Sequence, residues 1–306
     1  MTEIAIVGVG IVSPLGVGRE TFFAAAREDR VGICDLTLCE PFGECEHAGE
    51  IGNYDWKEYV FSKQTYADRC TQLAIGAARL ALEDGGVALP IVAGETGFCF
   101  GTCWGCLESM RKFYEPVAQG KGKSASGLVF SHSYPNCPTS FCAIELGLRG
   151  YSTSFTGSRL AGLWALRSAY DALASGTATD ILVCAADALG TEILSHLEAE
   201  KLASATRGKT PPETSDVETS DWGKVPGEAA VGLLLSTAPG KKPLGYLLSV
   251  TEEVGGGELD WRGGNSFSAQ ALQAMLRKLA RGKSGGEFAV SDTDSRQAVC
   301  VKIRCA

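Results

Sequence analysis

The stretch SFTGSRLAGLWALRSAYDALASGTATDILVCAADAL, residues Ser154 to Leu189, leaves the chain few architectures to choose from. It opens with a short extended segment and a tight turn, Gly157-Ser158-Arg159-Leu160-Ala161-Gly162. Leu163 to Leu173 then carries a helical pattern, and Asp180-Ile-Leu-Val-Cys-Ala reads as a strand with no solvent face. A strand without a polar face needs a sheet covered on both sides. The turn lies where a helix N-terminus would meet a ligand or carry a nucleophile, yet its most prominent side chain is the fixed cation Arg159.

The same alternation runs along the chain. Ile4 to Gly10 is a buried strand, Ser13-Pro14-Leu15-Gly16 a turn, and Arg19 to Arg27 a helix. Residues 28–61 hold no long periodic segment. From Tyr66 the pattern is helical, with Leu73, Ala74, Ala77, Leu80 and Ala81 on one face, and it stops at Gly85-Gly86. Thr96 to Gly101 is a strand, a helix runs from near Gly105 towards Tyr114, and a short helix passes through Cys142 to Leu148. Glu192 to Ala203 is helical, and residues 207–222 form a polar, acidic loop. After Gly240 come a strand Leu244 to Val250, a glycine-rich loop, a helix Ser268 to Leu279, and strands near Phe288 to Ser291 and Ala298 to Ile303. The result is an α/β fold with an internal sheet, without tandem repeats and without a linker between independent domains.

The net charge of -8, from 28 basic and 36 acidic residues, argues against nucleic acid as a partner of the whole chain. The first residues carry an acid and no basic region, so no signal peptide is expected, and no apolar run is long enough to span a bilayer. The 12 cysteines are scattered through strand and helix patterns as small apolar residues would be in a reducing cytoplasm, the expected location.

Several segments together resemble the β-ketoacyl synthases of the thiolase fold. They are the opening Ile-Val-Gly-Val-Gly-Ile-Val-Ser-Pro-Leu-Gly, Ala78-Arg-Leu-Ala-Leu-Glu-Asp-Gly, and Gly101-Thr-Cys-Trp-Gly-Cys-Leu-Glu. Tyr134-Pro-Asn-Cys-Pro-Thr-Ser, Leu146-Gly-Leu-Arg-Gly150, Ser175-Gly-Thr-Ala-Thr-Asp and Val225-Pro-Gly-Glu-Ala-Ala follow in the family's order. The resemblance covers residues 1–240 and implies a thiolase-like α/β fold of layered sheets and helices. It thins over residues 241–306, a C-terminal half shorter than that of a complete synthase and expected to pack in the same domain.

The departures from the family pattern bear on function. In the family a cysteine at a buried helix N-terminus accepts the acyl group, where dipole and backbone N–H groups activate it and form an oxyanion hole. Counting back from Gly176 places Arg159 at that position and Gly162 at the motif glycine. Two histidines normally assist decarboxylation, but His47, His132 and His196 stand in neither expected context. Ser291-Asp-Thr-Asp-Ser-Arg-Gln stands where the family's glycine-rich loop would be. The resemblance then implies a non-condensing, chain-length-factor-like subunit of polyketide or fatty-acid-type biosynthesis, paired as a homo- or heterodimer. Its partners would be a ketosynthase subunit and an acyl carrier protein, with no cofactor and no metal. A repurposed acyl-transfer or cyclisation enzyme and a homodimeric scaffold are the alternatives. An arginine at a helix N-terminus must find an anion, reach solvent or meet carbonyl oxygens; Asp292 or Asp294 is the expected partner of Arg159, with Phe155 on the preceding strand as a pocket residue.

Four other features read more simply. Cys99, Cys103 and Cys106 have the C-x3-C-x2-C spacing of an iron–sulfur ligand set, but fall on a strand-to-helix turn where buried small residues are the ordinary reading. Ser158 neighbours the lost nucleophile, but one residue along a helix turns a side chain by about 100°, so a capping role fits better. His132 reads as a loop histidine. Leu276-Arg-Lys-Leu-Ala-Arg-Gly-Lys reads as a solvated helix end rather than a carrier-protein dock.

Overall fold

A computed structural model describes residues 3–38, 43–200, 206–211, 225–240, 242–253, 267–294 and 297–306. Strand β1 (Ile4–Ser13), the short β2 (Gly16–Val17) and helix α1 (Arg19–Arg27) open the chain. A two-stranded ribbon of β3 (Cys34–Asp35) and β4 (His47–Ala48) follows. Next come α2 (Arg69–Asp84), β5 (Gly97–Thr102), α3 (Leu107–Ala118), α4 (Gly127–Ser131) and α5 (Cys137–Leu146). Strand β6 (Ser152–Thr156), helix α6 (Ala161–Ala174), β7 (Asp180–Asp187) and α7 (Thr191–Ala199) form the middle of the molecule. Strands β8 (Ala229–Ser236) and β9 (Gly245–Glu253), helix α8 (Gln270–Arg281), and the hairpin of β10 (Glu287–Asp294) with β11 (Gln297–Cys305) come last.

Nine strands join in one mixed sheet of order β10-β11-β9-β1-β8-β7-β5-β6, with β2 folded back on β1. Strand β5 is parallel to β6 and β7, whereas β8 runs antiparallel to β7 and β1. The strands after residue 240 extend this sheet, because β9 pairs with β1 and β11 with β9. Every residue of β1 and β8 is buried, as a sheet with helices on both faces requires. Ile4, Ile6 and Leu233 pack against α6 and α8 through Leu163, Leu166, Leu272 and Leu276. The opposite face, with Ala5, Val7, Phe98 and Phe100, packs under Leu73, Ala77 and Leu146 of α2 and α5.

The alternation expected from the sequence is the one observed, an α/β architecture with an internal sheet. The helix expected over Arg19 to Arg27 has those bounds, and α2 starts at the Asp68 cap, whose carboxylate accepts from Cys70 N at 3.0 Å. Strand β8 has no counterpart in the sequence reading, although it separates β1 from β7. Its apolar run Ala-Ala-Val-Gly-Leu-Leu-Leu has no period to mark it. Helix α3 runs four residues beyond Tyr114, and α7 ends at Ala199. Most of the acidic loop expected over 207–222 and the glycine-rich loop after Val250 lie outside the described residues. Among the described residues no helix is long and apolar enough to cross a membrane.

Helix α2 sits on the sheet through glycines. A Cβ on Gly10 would stand 2.0 Å from Ala77 O, and one on Gly232 would stand 2.5 Å from the same oxygen. The Gly-Val-Gly of β1 is thus a seat for backbone, not a mobile segment. Gly10→Ala is expected to push α2 off the sheet and lower stability by about 1–3 kcal/mol, the range for overpacking a tight interior. Chemical denaturation of the variant against the parent checks this.

Candidate functional site

Strands β5, β6 and β7 end together at Thr102, Thr156 and Asp187. In open α/β sheets this carboxyl edge is where sites form. The turn that follows β6 is tied to β5, the strand beside it. Gly157 takes a positive φ of 82°, and its N–H donates to Thr102 O at 3.2 Å. Ser158 Oγ accepts from Leu160 N at 3.0 Å, which makes the serine a brace for the helix entry. Ala161 and Gly162 start α6 in close quarters: a Cβ on Gly101 would meet Ala161 O at 2.3 Å, and one on Gly162 would meet Ser268 O at 2.2 Å.

Arg159 projects from this turn towards β10. Its Nη2 lies 3.8 Å from Asp292 Oδ1, with the arginine side chain 33% exposed and the aspartate 1%. That separation is an ion contact, longer than a hydrogen bond. Arg159 Nε and Nη2 are buried without a hydrogen-bond partner among the described residues. Asp294 lies two residues on, near the β10–β11 turn, with its backbone opposite Gln297; its side chain is outside the described part. Phe155 lies apart from this pair, in a shallow cleft of about 510 Å³ at the sheet edge, with Tyr151, Trp164 and Arg167.

The sequence reading missed the residue that organises this end of the sheet. Asp187 is fully buried and accepts from Thr102 Oγ1 at 2.8 Å, Cys103 N at 2.9 Å and Trp104 N at 2.9 Å. It also accepts from Ser268 N at 3.0 Å and Ser268 Oγ at 2.5 Å. Burial pushes its carboxyl above the ordinary range, and these hydrogen bonds pull against that shift. The signal available in the sequence was an acid ending an apolar strand, Ile-Leu-Val-Cys-Ala-Ala-Asp. Above it Trp104 packs edge-on against His196 and Phe267, with centroids 5.3 and 5.5 Å away. Phe267 adopts φ 48°, a left-handed backbone held in place beside Ser268. A cleft of about 880 Å³ opens by α2, α3 and α7, and neither Arg159 nor Asp292 lines it. Three of its cations are matched by acids: Arg69 with Glu228, Lys112 with Glu108, and Arg111 with Glu192.

The remaining candidates are dispersed. His47 contacts Asp35 at 3.0 Å, His196 faces Trp104, and His132 meets Cys137. Cys99 packs on the α6 face of β5, whereas Cys106 lies beside Thr71 of α2 on the other. Among the described residues no group of three or more His, Cys, Asp or Glu side chains is placed to hold a metal ion. The basic stretch after Leu276 is the solvated helix end expected at Lys278, Arg281 and Lys283, which are exposed, but not at Arg277. Arg277 is buried against Phe22, Lys278 donates to Ala289 O at 2.7 Å, and Arg281 closes the end of α1 through Ala26 O and Asp29.

Residues 1–239 match the family model of the β-ketoacyl synthase N-terminal domain. The chain belongs to the β-ketoacyl synthase family. Among its relatives is the ketoacyl synthase β subunit of the tetracenomycin polyketide synthase of Streptomyces glaucescens, 27% identical over 77% of this chain and 58% of that protein. The α subunit of the same synthase is 30% identical over 60% of this chain and 45% of its own length. The chain thus spans about half the length of the curated relatives it matches. In structure it matches a chain of AntDE:AntF, a type II PKS acyl-carrier protein in complex with its ketosynthase bound to the hexaketide. The TM-score there is 0.78 at 14% identity, over 100% of this chain and 99% of that one. The thiolase-like α/β fold of the family's synthases is therefore the fold of this chain.

Within this ketoacyl synthase fold, Asp187 ties the β5–α3 turn to Ser268. Asp187→Ala would strand several buried donors, each costing about 1–3 kcal/mol, so a loss of about 3 kcal/mol or more is expected. Asp187→Asn should lose less, since its amide oxygen keeps an acceptor. Equilibrium unfolding of the two variants decides it.

Proposed function

We propose that the chain is a non-condensing, ketosynthase-like accessory subunit of polyketide or fatty-acid-type biosynthesis that pairs with an active synthase and shapes its acyl cavity. The observation that carries this reading is Arg159. It occupies the turn where the resemblance places the acyl-accepting cysteine, and it faces Asp292 at 3.8 Å. A guanidinium that stays protonated cannot attack a thioester. Among the described residues the three histidines contact Asp35, Trp104 and Cys137, and none is paired with Arg159, as an imidazole assisting decarboxylation at the turn would require. The similarity to a β subunit of a polyketide synthase supports the accessory role, and the likeness to a chain bound with an acyl-carrier protein supports the carrier as a partner.

The proposed contact with the synthase is the β6 edge. Among the described residues β6 hydrogen-bonds to β5 alone, leaving its outer backbone groups open to pairing. Tyr151, Phe155 and Trp164 surround that edge with apolar surface. Incubated with malonyl- and acyl-carrier-protein thioesters, the isolated protein should neither gain an acyl group nor release carbon dioxide. Added to a complete synthase, it should appear as a two-chain complex in native mass spectrometry. A stable acyl adduct on the isolated chain, on Ser158 or elsewhere, would refute the non-condensing reading, and absence of any complex would refute the pairing.

In this reading the Arg159–Asp292 contact fills the space a substrate carbonyl would need. The arginine side chain is one-third exposed although its Nη2 and Asp292 are buried, and at 3.8 Å the coupling should be on the order of 1 kcal/mol. Arg159→Ala, Asp292→Ala and the double variant form a cycle that measures it by denaturation. The coupling should fall as salt rises. If Arg159→Ala leaves stability unchanged while abolishing a measured turnover, a catalytic arginine replaces the plug.

A further inference from the structure

We propose that Cys137, Cys106 and His132 form a peroxide-reactive dithiol, in which Cys137 attacks the peroxide, His132 takes its proton and Cys106 closes a disulfide. The three residues come together where α3 and α5 begin. Cys106 is the cap residue of α3, and Cys137 is the first residue of α5, with Pro138 next to it. Cys137 Sγ lies 3.6 Å from His132 Nδ1, within reach of an S–H···N hydrogen bond. The start of α3 lies against the turn that leads to Cys137, where a Cβ on Gly105 would stand 2.9 Å from Pro135 Cβ, so the two thiols are within each other's influence, and Thr71 Oγ1 stands 3.7 Å from Cys106 Sγ. Cys137 keeps 9% of its surface exposed, whereas Cys106 keeps none. Cys137 is thus the nearer of the two to the surface.

The surroundings separate the roles of the two sulfurs. The hydrogen bond from Cys106 holds the Cys137 thiol below the usual cysteine range, while the same contact and burial push Cys106 up. Burial lowers His132, so the imidazole is neutral near pH 7 and free to accept a proton. Tyr66 and Phe141 hold its ring edge-on, with centroids at 5.5 and 6.0 Å. The carboxylate nearest the pair, Asp68, opposes a thiolate, but its own charge is spread over Cys70 N, Ser109 N and Ser109 Oγ. Other core thiols are driven the opposite way: burial pushes Cys99 up to about 12 and Cys142 well above the ordinary value.

The reaction balances with a hydroperoxide as the oxidant. The Cys137 proton passes to His132, and the thiolate attacks one peroxide oxygen as the O–O bond breaks. The departing oxygen takes the proton from His132, leaving as water when the oxidant is hydrogen peroxide. The Cys106 sulfur then attacks the sulfenic sulfur of Cys137, the S–O bond breaks, and the hydroxyl leaves as water with the Cys106 proton. Two thiols are oxidised by two electrons, and the peroxide is reduced by the same two. The disulfide ties the start of α3 to the start of α5. This site lies on the α2–α5 face, so its chemistry is independent of the acyl reading of Arg159.

The test is to expose the folded protein to hydrogen peroxide, block free thiols with N-ethylmaleimide, and map disulfides by fragmentation mass spectrometry. The expected result is a loss of two hydrogens located to Cys106–Cys137 and reversed by dithiothreitol. Cys106→Ser should stop at a sulfenic acid on Cys137, trapped by dimedone, and His132→Gln should slow oxidation by about tenfold or more. Oxidation of the parent protein is decisive without any variant. A disulfide between other cysteines, or none while the fold stays intact, overturns the proposal. An unchanged oxidation rate in a folded His132→Gln protein overturns the role of the histidine.

Discussion

A carboxylate with no exposed surface holds the carboxyl edge of the sheet together. Asp187 reaches from the end of β7 to the β5–α3 turn and to Ser268 in a distant part of the chain. The turn after β6 rests on what that carboxylate has fixed, because Gly101 underlies Ala161 and Gly162 abuts Ser268 O. Moving Asp187 would therefore move the platform on which Arg159 is displayed. The same device recurs elsewhere. Glu228 binds Arg69 and accepts from Ile51 N and Leu189 N, and Glu50 accepts from Thr37 N and Leu38 N. Glu145 accepts from Phe61 N and Ser62 N. Each buried acid gathers backbone N–H groups from a loop that would otherwise lack partners.

This changes the meaning of the acidic composition. Glu50, Asp68, Glu145, Asp187, Glu228 and Asp292 are all buried, and among the described residues Arg277 is the one buried Lys or Arg. A net charge of -8 read as surface charge therefore overstates how negative the exterior is. The inference that survives is the weaker one about nucleic acid, since burying acids does not create a basic face.

The sheet was readable wherever a period or a turn marked an element. Arg19 to Arg27 has the bounds its pattern implies, because local residues decide it. Strand β8 escaped because a strand covered on both faces has no alternation, and its register comes from β1 and β7. The site was harder for a different reason. The Asp187 donors and the Arg159–Asp292 contact join segments far apart in sequence, and no local pattern records such distances. Counting along the family motif located the turn and suggested an aspartate opposite it, whereas the donors gathered by Asp187 appear only in the fold.

The cysteines carry that argument furthest. Spacing alone groups Cys99, Cys103 and Cys106, which are close in sequence. Strand alternation sends Cys99 to the α6 side, where it joins Leu163 and Val183, while Phe98 and Phe100 point to the other. Helix α3 then begins on the far side of the sheet, so Cys106 is turned towards α2 and meets Thr71. The αL glycine Gly147 ends α5, and the turn after α4 delivers Cys137 N to Tyr134 O at 2.9 Å, placing the first residue of α5 over Cys106. Two helix starts, where backbone N–H groups favour a negative sulfur, achieve a proximity that the intervening chain conceals. The same physics that disperses one apparent thiol cluster assembles another.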